Sequence, residues 1–177
     1  MALLAAARSV LLVVDFQARL TPAIEAGEAV LVEAKRLIGA ARLLDVPVVA
    51  TEQNPQGLGG TVPGLLPPDV PIVEKHSFDA ARAPALAPLL PAGRDIVLCG
   101  CEAHVCVLQT AFGLIAAGRR VAVVADAVGS RKAASKAAAL ARLAAGGADV
   151  VTAEMAIFEW LGEARHPRFR EALALVR

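Results

Sequence analysis

The stretch Ile96-Val97-Leu98-Cys99-Gly100-Cys101-Glu102-Ala103-His104-Val105-Cys106-Val107-Leu108-Gln109-Thr110-Ala111-Phe112-Gly113 carries three signals in succession. An apolar run of strand length breaks at Gly100 and resumes as an apolar segment of helix length ending near Gly118, so it predicts strand, tight turn, helix. Cys106 then falls in the first turn of the helix. There the unpaired backbone N–H groups and the positive end of the helix dipole favour negative charge, which biases a thiol towards thiolate and makes Cys106 a candidate nucleophile. The other reading of a free cysteine is a small buried hydrophobe, and its position in the fold decides between the two.

Upstream, Val10-Leu11-Leu12-Val13-Val14 is a continuous apolar run, as expected of a strand buried on both faces, and it ends in Asp15-Phe16-Gln17. Between Glu25 and Asp45, Val30, Ala34, Leu37, Ala41 and Leu44 recur at the spacing of one helical face. A second strand is predicted over Val46–Ala50, followed by Thr51-Glu52-Gln53. From Asn54 to Asp69 the density of glycine and proline predicts an irregular loop, of the length used for lids or subunit contacts. A third strand covers Val70–Glu74 with Lys75 at its end, a short helical piece covers Ala85–Leu90, and the fourth strand is Asp95–Cys99. Downstream, Arg119–Ala125 predicts a fifth strand ending in Asp126, which is expected to pair with Arg131 or cap a turn. Ser130 is expected to cap a helix running to Gly146-Gly147. Asp149–Thr152 reads as a sixth strand, and Glu154–Leu161 and Arg168–Val176 as closing helices, the second with Pro167 at its first position.

Strands alternating with helices imply right-handed crossovers and a mostly parallel sheet in three layers: an α/β, αβα Rossmann-like fold. The expected order of its six strands is 3-2-1-4-5-6, in one domain over residues 1–177. Ligands of such sheets bind beyond the carboxyl ends of the strands, where the strand order reverses. Asp15, Lys75 and the turn leading to Cys106 all lie at carboxyl ends. In this order strands one and four are neighbours at about 4.8 Å, whereas strand three is about 10 Å from strand one. Lysine is long enough to cross that gap and pair with Asp15 or a thiolate.

Composition narrows the function. The 177 residues are 56% hydrophobic with a formal net charge of +1, which makes no electrostatic case for nucleic acid or an anionic membrane surface. The apolar runs fall well short of the roughly 20 residues needed to span a bilayer. A soluble protein is therefore expected. The apolar N-terminus lacks the basic region of a signal peptide. Three cysteines, an odd number, make no disulfide framework, so a reducing cytoplasm is the expected compartment.

With Asp15, Lys75 and Cys106 in this order on these strand ends, the chain resembles the isochorismatase-like cysteine hydrolase superfamily over nearly its whole length. Asp15-Phe16-Gln17 matches the family's D-x-Q motif, Val73-Glu74-Lys75-His76-Ser77-Phe78 its lysine segment, and Gly100-Cys101-Glu102-Ala103-His104-Val105-Cys106-Val107 its nucleophile motif. Asp126-Ala127-Val128-Gly129-Ser130-Arg131 is similar to the segment after its fifth strand. The Thr51–Gly59 and Thr61–Pro63 segments look most like the isochorismatase-domain-containing hydrolases of unassigned substrate. The region after the second strand holds no His, unlike the metal-binding region of nicotinamidases, so the resemblance implies neither a metal nor another cofactor.

The resemblance implies a hydrolase of a small amide, ester or related C–N bond. Cys106 is then the nucleophile, Asp15 the acid and base, and Lys75 the charge partner. It also implies a cis, non-proline peptide at Cys101-Glu102 and an oxyanion hole made by the backbone N–H groups of Glu102 and Cys106. Gln17, Gln53, Phe78 and His104 are candidate substrate-binding residues because they adjoin the strand ends or the nucleophile. His76 is expected to point away by strand alternation, and Cys99 and Cys101 to be packing residues. Trp160 reads as core or subunit contact. The long loop and apolar closing helices lead us to expect a homo-oligomer. The alternatives are a metal or redox module built on Cys99, Cys101, His104 and Cys106, and a binding or scaffold protein that retains the fold without turnover.

Overall fold

The computed structural model describes residues 2–177. β1 (Ser9–Val14) is the central strand, and every one of its residues is buried. Its alternation splits the interior in two. Leu11 and Val13 face one apolar layer, whereas Val10, Leu12 and Val14 face another, as the two-residue period of a strand requires. A strand so placed needs apolar residues at consecutive positions, which is why Val10–Val14 reads as an unbroken run.

β2 (Val48–Gln53), β3 (Ile72–Lys75), β4 (Asp95–Cys101), β5 (Val121–Gly129) and β6 (Asp149–Val151) complete a six-stranded sheet in the order β3-β2-β1-β4-β5-β6, with every strand pair parallel. α1 (Gly27–Leu43), α5 (Ala153–Leu161) and α6 (Phe169–Val176) contribute to one apolar layer; α3 (Leu108–Ala116) and α4 (Ala133–Ala145) contribute to the other. The α1 periodicity holds: Val30, Ala34, Leu37 and Ala41 are all buried. Trp160 is core, with its indole N–H donating to Ser9 Oγ at 2.9 Å.

Several boundaries differ from expectation for identifiable reasons. β2 begins two residues later and runs on through Thr51, Glu52 and Gln53, because these continue the ladder with Val73, Glu74 and Lys75 of β3. The 54–69 segment opens with a one-turn helix, α2 (Pro55–Leu58). The middle of the segment is tied down where the buried carboxylate of Glu52 accepts from the Thr61 N–H and hydroxyl at 2.6 and 2.7 Å. β5 extends through Asp126 to Gly129. Asp126 therefore neither ends a strand nor pairs with Arg131; it accepts from the Ala153 N–H at the start of α5, at 2.8 Å. Ser130 is not the cap of α4. Lys132 is, and the first free N–H, of Ala133, is met from outside by the Glu25 carboxylate; Pro167 precedes the Arg168 cap of α6 rather than opening the helix.

Gly100 is the tightest joint of the sheet. It lies opposite Val14 in the ladder with φ at +140°, and a Cβ there would sit 2.0 Å from the Val14 carbonyl oxygen. Gly100→Ala should therefore cost about 3 kcal/mol or more, through strained backbone and displacement of β1 from β4. Urea unfolding would show it as a lower midpoint; an unchanged midpoint would mean that the two strands separate there without penalty.

Candidate functional site

β1 ends at Val14, level in the sheet with Thr51 of β2 and Gly100 of β4, near the ends of those strands. Asp15 leaves β1 in the left-handed region, at φ +52°, which short polar side chains tolerate better than most. Its N–H donates to the Thr51 carbonyl at 3.1 Å. On the edge strand β3, Val73 and Lys75 are buried while Ile72 and Glu74 are exposed, so alternation turns Lys75 inward. The lysine stem crosses β2, and its Nζ donates to Asp15 Oδ2 at 2.7 Å, with both side chains at 0% exposure.

Each proton of the ammonium has a partner. Besides Asp15, Nζ donates to Gln53 Oε1 at 2.9 Å and to the Ser77 carbonyl at 3.3 Å. The other Asp15 oxygen, Oδ1, accepts from the Thr51 hydroxyl at 2.7 Å, again fully inside the protein. A buried ion pair survives only when its remaining hydrogen-bonding capacity is met, and here it is met on both sides. Thr51 opens the Thr51–Gly59 segment that carries the resemblance, but nothing in that segment points to its contact with Asp15.

Cys106 faces this pair from the other side of β1. The chain leaves β4 through a cis Cys101–Glu102 peptide and winds through one wide, π-helical turn over Ala103–Val107 into α3. Cys106 lies in that turn and is 5% exposed. Burial pushes its thiol up to about 12, the Asp15 charge adds to the effect, and Lys75 works against it. Removal from water and the facing carboxylate thus oppose the bias towards thiolate expected from the helix start. Cys99 and Cys101 are packing residues in the opposite layer, where burial raises both thiols.

Of the expected substrate contacts, Gln17 is fully buried. Its amide donates to the Gln53 and Gly59 carbonyls at 3.0 and 2.6 Å and accepts from the Gln53 N–H at 2.8 Å, so both donors are used within the chain. Gln53 braces Lys75 and donates its own Nε2 to the His76 carbonyl at 2.7 Å. Phe78 is 51% exposed, on a segment held against α3 by Thr110, whose hydroxyl accepts from the Ala80 N–H at 2.9 Å. His104 is half-buried, with Nδ1 3.0 Å from Ser130 Oγ, and lines a surface cavity of about 290 Å³ with Arg131, Lys132 and Ser135. Glu102 is buried and holds the Arg131 Nε at 3.0 Å. His76 is exposed.

An all-parallel αβα sheet with a buried Asp15–Lys75 pair at its carboxyl end is a doubly wound α/β fold, whose ligand sites lie at that end. The isochorismatase domain matches residues 9–155, and the chain belongs to that family of hydrolases. Isochorismatase domain-containing protein 2 of Homo sapiens is 40% identical over 172 residues, covering 96% of this chain and 83% of that protein. Its Xenopus laevis counterpart is 38% identical over 170 residues, covering 95% and 83%. Among solved structures, that of the MAR1 ribonuclease of Caenorhabditis elegans superposes with a TM-score of 0.94 at 37% identity, covering 99% of this chain and 92% of that one. No helix among the described residues is long and apolar enough to cross a membrane.

Replacing Lys75 by Met keeps the stem and removes the charge, leaving Asp15 buried and uncompensated. Lys75→Met should cost about 3 to 5 kcal/mol in urea unfolding. Adding Asp15→Asn to that variant should restore a substantial part of the loss. A double variant no more stable than Lys75→Met would show that the two side chains do not depend on each other.

Proposed function

We propose that the protein is a cysteine hydrolase of small amides, esters or related C–N bonds, with Cys106 as nucleophile, Asp15 as acid and base, and Lys75 as their charge partner. The observation that carries this reading is the fully buried Lys75–Asp15 pair facing Cys106 at the switch point of the sheet. A protein interior gains nothing in stability from such a pair that apolar side chains would not supply, so its presence beside a thiol points to chemistry.

In this reading the Cys106 thiol passes its proton to Asp15, and the sulfur attacks the substrate's carbonyl carbon. The negative oxygen that forms is met by the backbone N–H groups of Glu102 and Cys106. As the tetrahedral centre collapses, the proton on Asp15 goes to the departing amine or alcohol, leaving a thioester. Water, giving a proton to Asp15, attacks the thioester; collapse of that second tetrahedral centre releases the acid, and the proton returns to sulfur. Lys75 stays an ammonium throughout, balancing first the carboxylate and then the thiolate. Gln53 acts through Lys75, while Phe78 and His104 flank the approach. Neither step needs a metal or other cofactor.

The description of the worm protein as a ribonuclease raises RNA as a second substrate class. The net charge of +1 and the burial of Asp15 and Cys106 favour a small molecule over a polyanion. A cytoplasmic setting accords with the three free cysteines. Assembly into a homo-oligomer accords with exposed Leu3, Val150, Met155 and Phe158, and YcaC of Escherichia coli, which shares the fold at 24% identity, is described as octameric.

Two measurements test the site. A panel of small amides and esters, with an RNA oligonucleotide included, should reveal hydrolysis that falls at least about a thousandfold in Cys106→Ala, with RNA untouched. Turnover that survives in Cys106→Ala would sink the nucleophile assignment. The pH profile of iodoacetamide alkylation at Cys106, mapped by mass spectrometry, has signs set by its neighbours. Asp15→Asn removes the charge that raises the thiol and should move the profile to lower pH; Lys75→Met removes the opposing charge and should move it higher. Profiles that coincide with wild type in both variants would mean that neither group acts on the sulfur.

A further inference from the structure

We infer that Thr51 is a positioning residue for Asp15: its hydroxyl holds the carboxylate in place and in its ionised form, so that the proton shared between Asp15 and Cys106 rests on sulfur until substrate binds. This rests on the reading of Asp15 as the base of Cys106.

Thr51 is 1% exposed, and its hydroxyl donates to Asp15 Oδ1 at 2.7 Å. Its main chain holds Asp15 as well, accepting from the Asp15 N–H at 3.1 Å, so one residue fixes both the backbone and one carboxylate oxygen of Asp15. The carboxylate thus has one oxygen on Lys75 and the other on Thr51. With both ends held, the plane of the carboxylate is set, and with it the direction from which the Cys106 proton must arrive. A hydroxyl donated to a charged oxygen is stronger than one donated to a neutral carboxyl, so the bond favours the form with the proton on sulfur. Thr51 itself neither gives nor takes a proton: the one that leaves Cys106 in the reaction goes to Asp15. Without the hydroxyl the balance shifts towards thiolate and neutral carboxyl.

Valine has the shape of threonine and suits a buried strand, so Thr51→Val removes the hydrogen bond and little else. The probe is iodoacetamide, with Cys99 and Cys101 as internal reporters of loosened packing. Between the acid and alkaline limbs of the profile, Cys106 in Thr51→Val should be alkylated about tenfold faster than in wild type, the size expected for one charge-assisted hydrogen bond. Cys99 and Cys101 should stay as protected as before, and Thr51→Ser should return the wild-type rate. A Cys106 rate in Thr51→Val within twofold of wild type, or slower, overturns the inference. So does acceleration at all three cysteines, which would mark Thr51 as a packing residue. Asp15→Asn separates the two levels: if it leaves the Cys106 profile where it was, the reading of Asp15 as the base falls too, whereas if it moves the profile and Thr51→Val does not, only the role of Thr51 is lost.

Discussion

A lysine ammonium and an aspartate carboxylate, each withdrawn completely from water, meet at 2.7 Å across an intervening strand, and the surrounding structure is arranged to make that contact tolerable. Removing two charges from water costs several kcal/mol per ion, and attraction between them offsets the cost only if their other hydrogen-bonding groups are also met. Gln53 and the Ser77 carbonyl complete the ammonium, and Thr51 completes the carboxylate. Gln53 is in turn held by Gln17, whose amide reaches across to the Gly59 carbonyl of the following loop. The polar network therefore binds together the ends of β1, β2 and β3 and the loop that covers them.

The same arrangement explains the state of Cys106. A helix start and a nearby lysine pull a thiol towards thiolate, whereas burial and the Asp15 charge pull the other way. A resting thiol beside a carboxylate is a self-protected nucleophile in this reading: sulfur becomes reactive when its proton passes to Asp15, and Lys75 then has a thiolate to balance in place of a carboxylate. Proton position and charge balance change together within one small cluster, with no net charge moving in or out of the interior.

The sheet supplies the geometry this requires. Parallel strands bring their carboxyl ends to one edge, and the reversal of strand order around β1 and β4 leaves the β4-to-α3 turn beside Asp15. Gly100 permits the close approach of β4 to β1 that sets Cys106 opposite the pair. Side-chain alternation on β3 does the rest, sending Val73 and Lys75 inward and leaving His76 exposed.

The sequence by itself determined the layers; the strand order was the one expected of a doubly wound parallel sheet. Unbroken apolar runs such as Val10–Val14 occur where both faces of a strand are covered, and the spacing of Val30, Ala34, Leu37 and Ala41 occurs where one face of a helix is. It also placed Asp15, Lys75 and Cys106 at strand ends, because the breaks that end strands are themselves local signals. What only the tertiary structure decided was which polar groups meet. Gln17 and Gln53, candidate substrate-binding residues in the sequence, hydrogen-bond to each other, to the Gly59 carbonyl and to Lys75. Asp126 caps α5 rather than joining Arg131, and Thr51 reaches Asp15 from 36 positions away. Such pairings depend on the register between strands and on distances after folding, and periodicity along a chain carries neither. The protonation of Cys106 was hidden for the same reason: the dipole of its own helix is local, whereas its burial and the facing carboxylate come from elements distant in the chain.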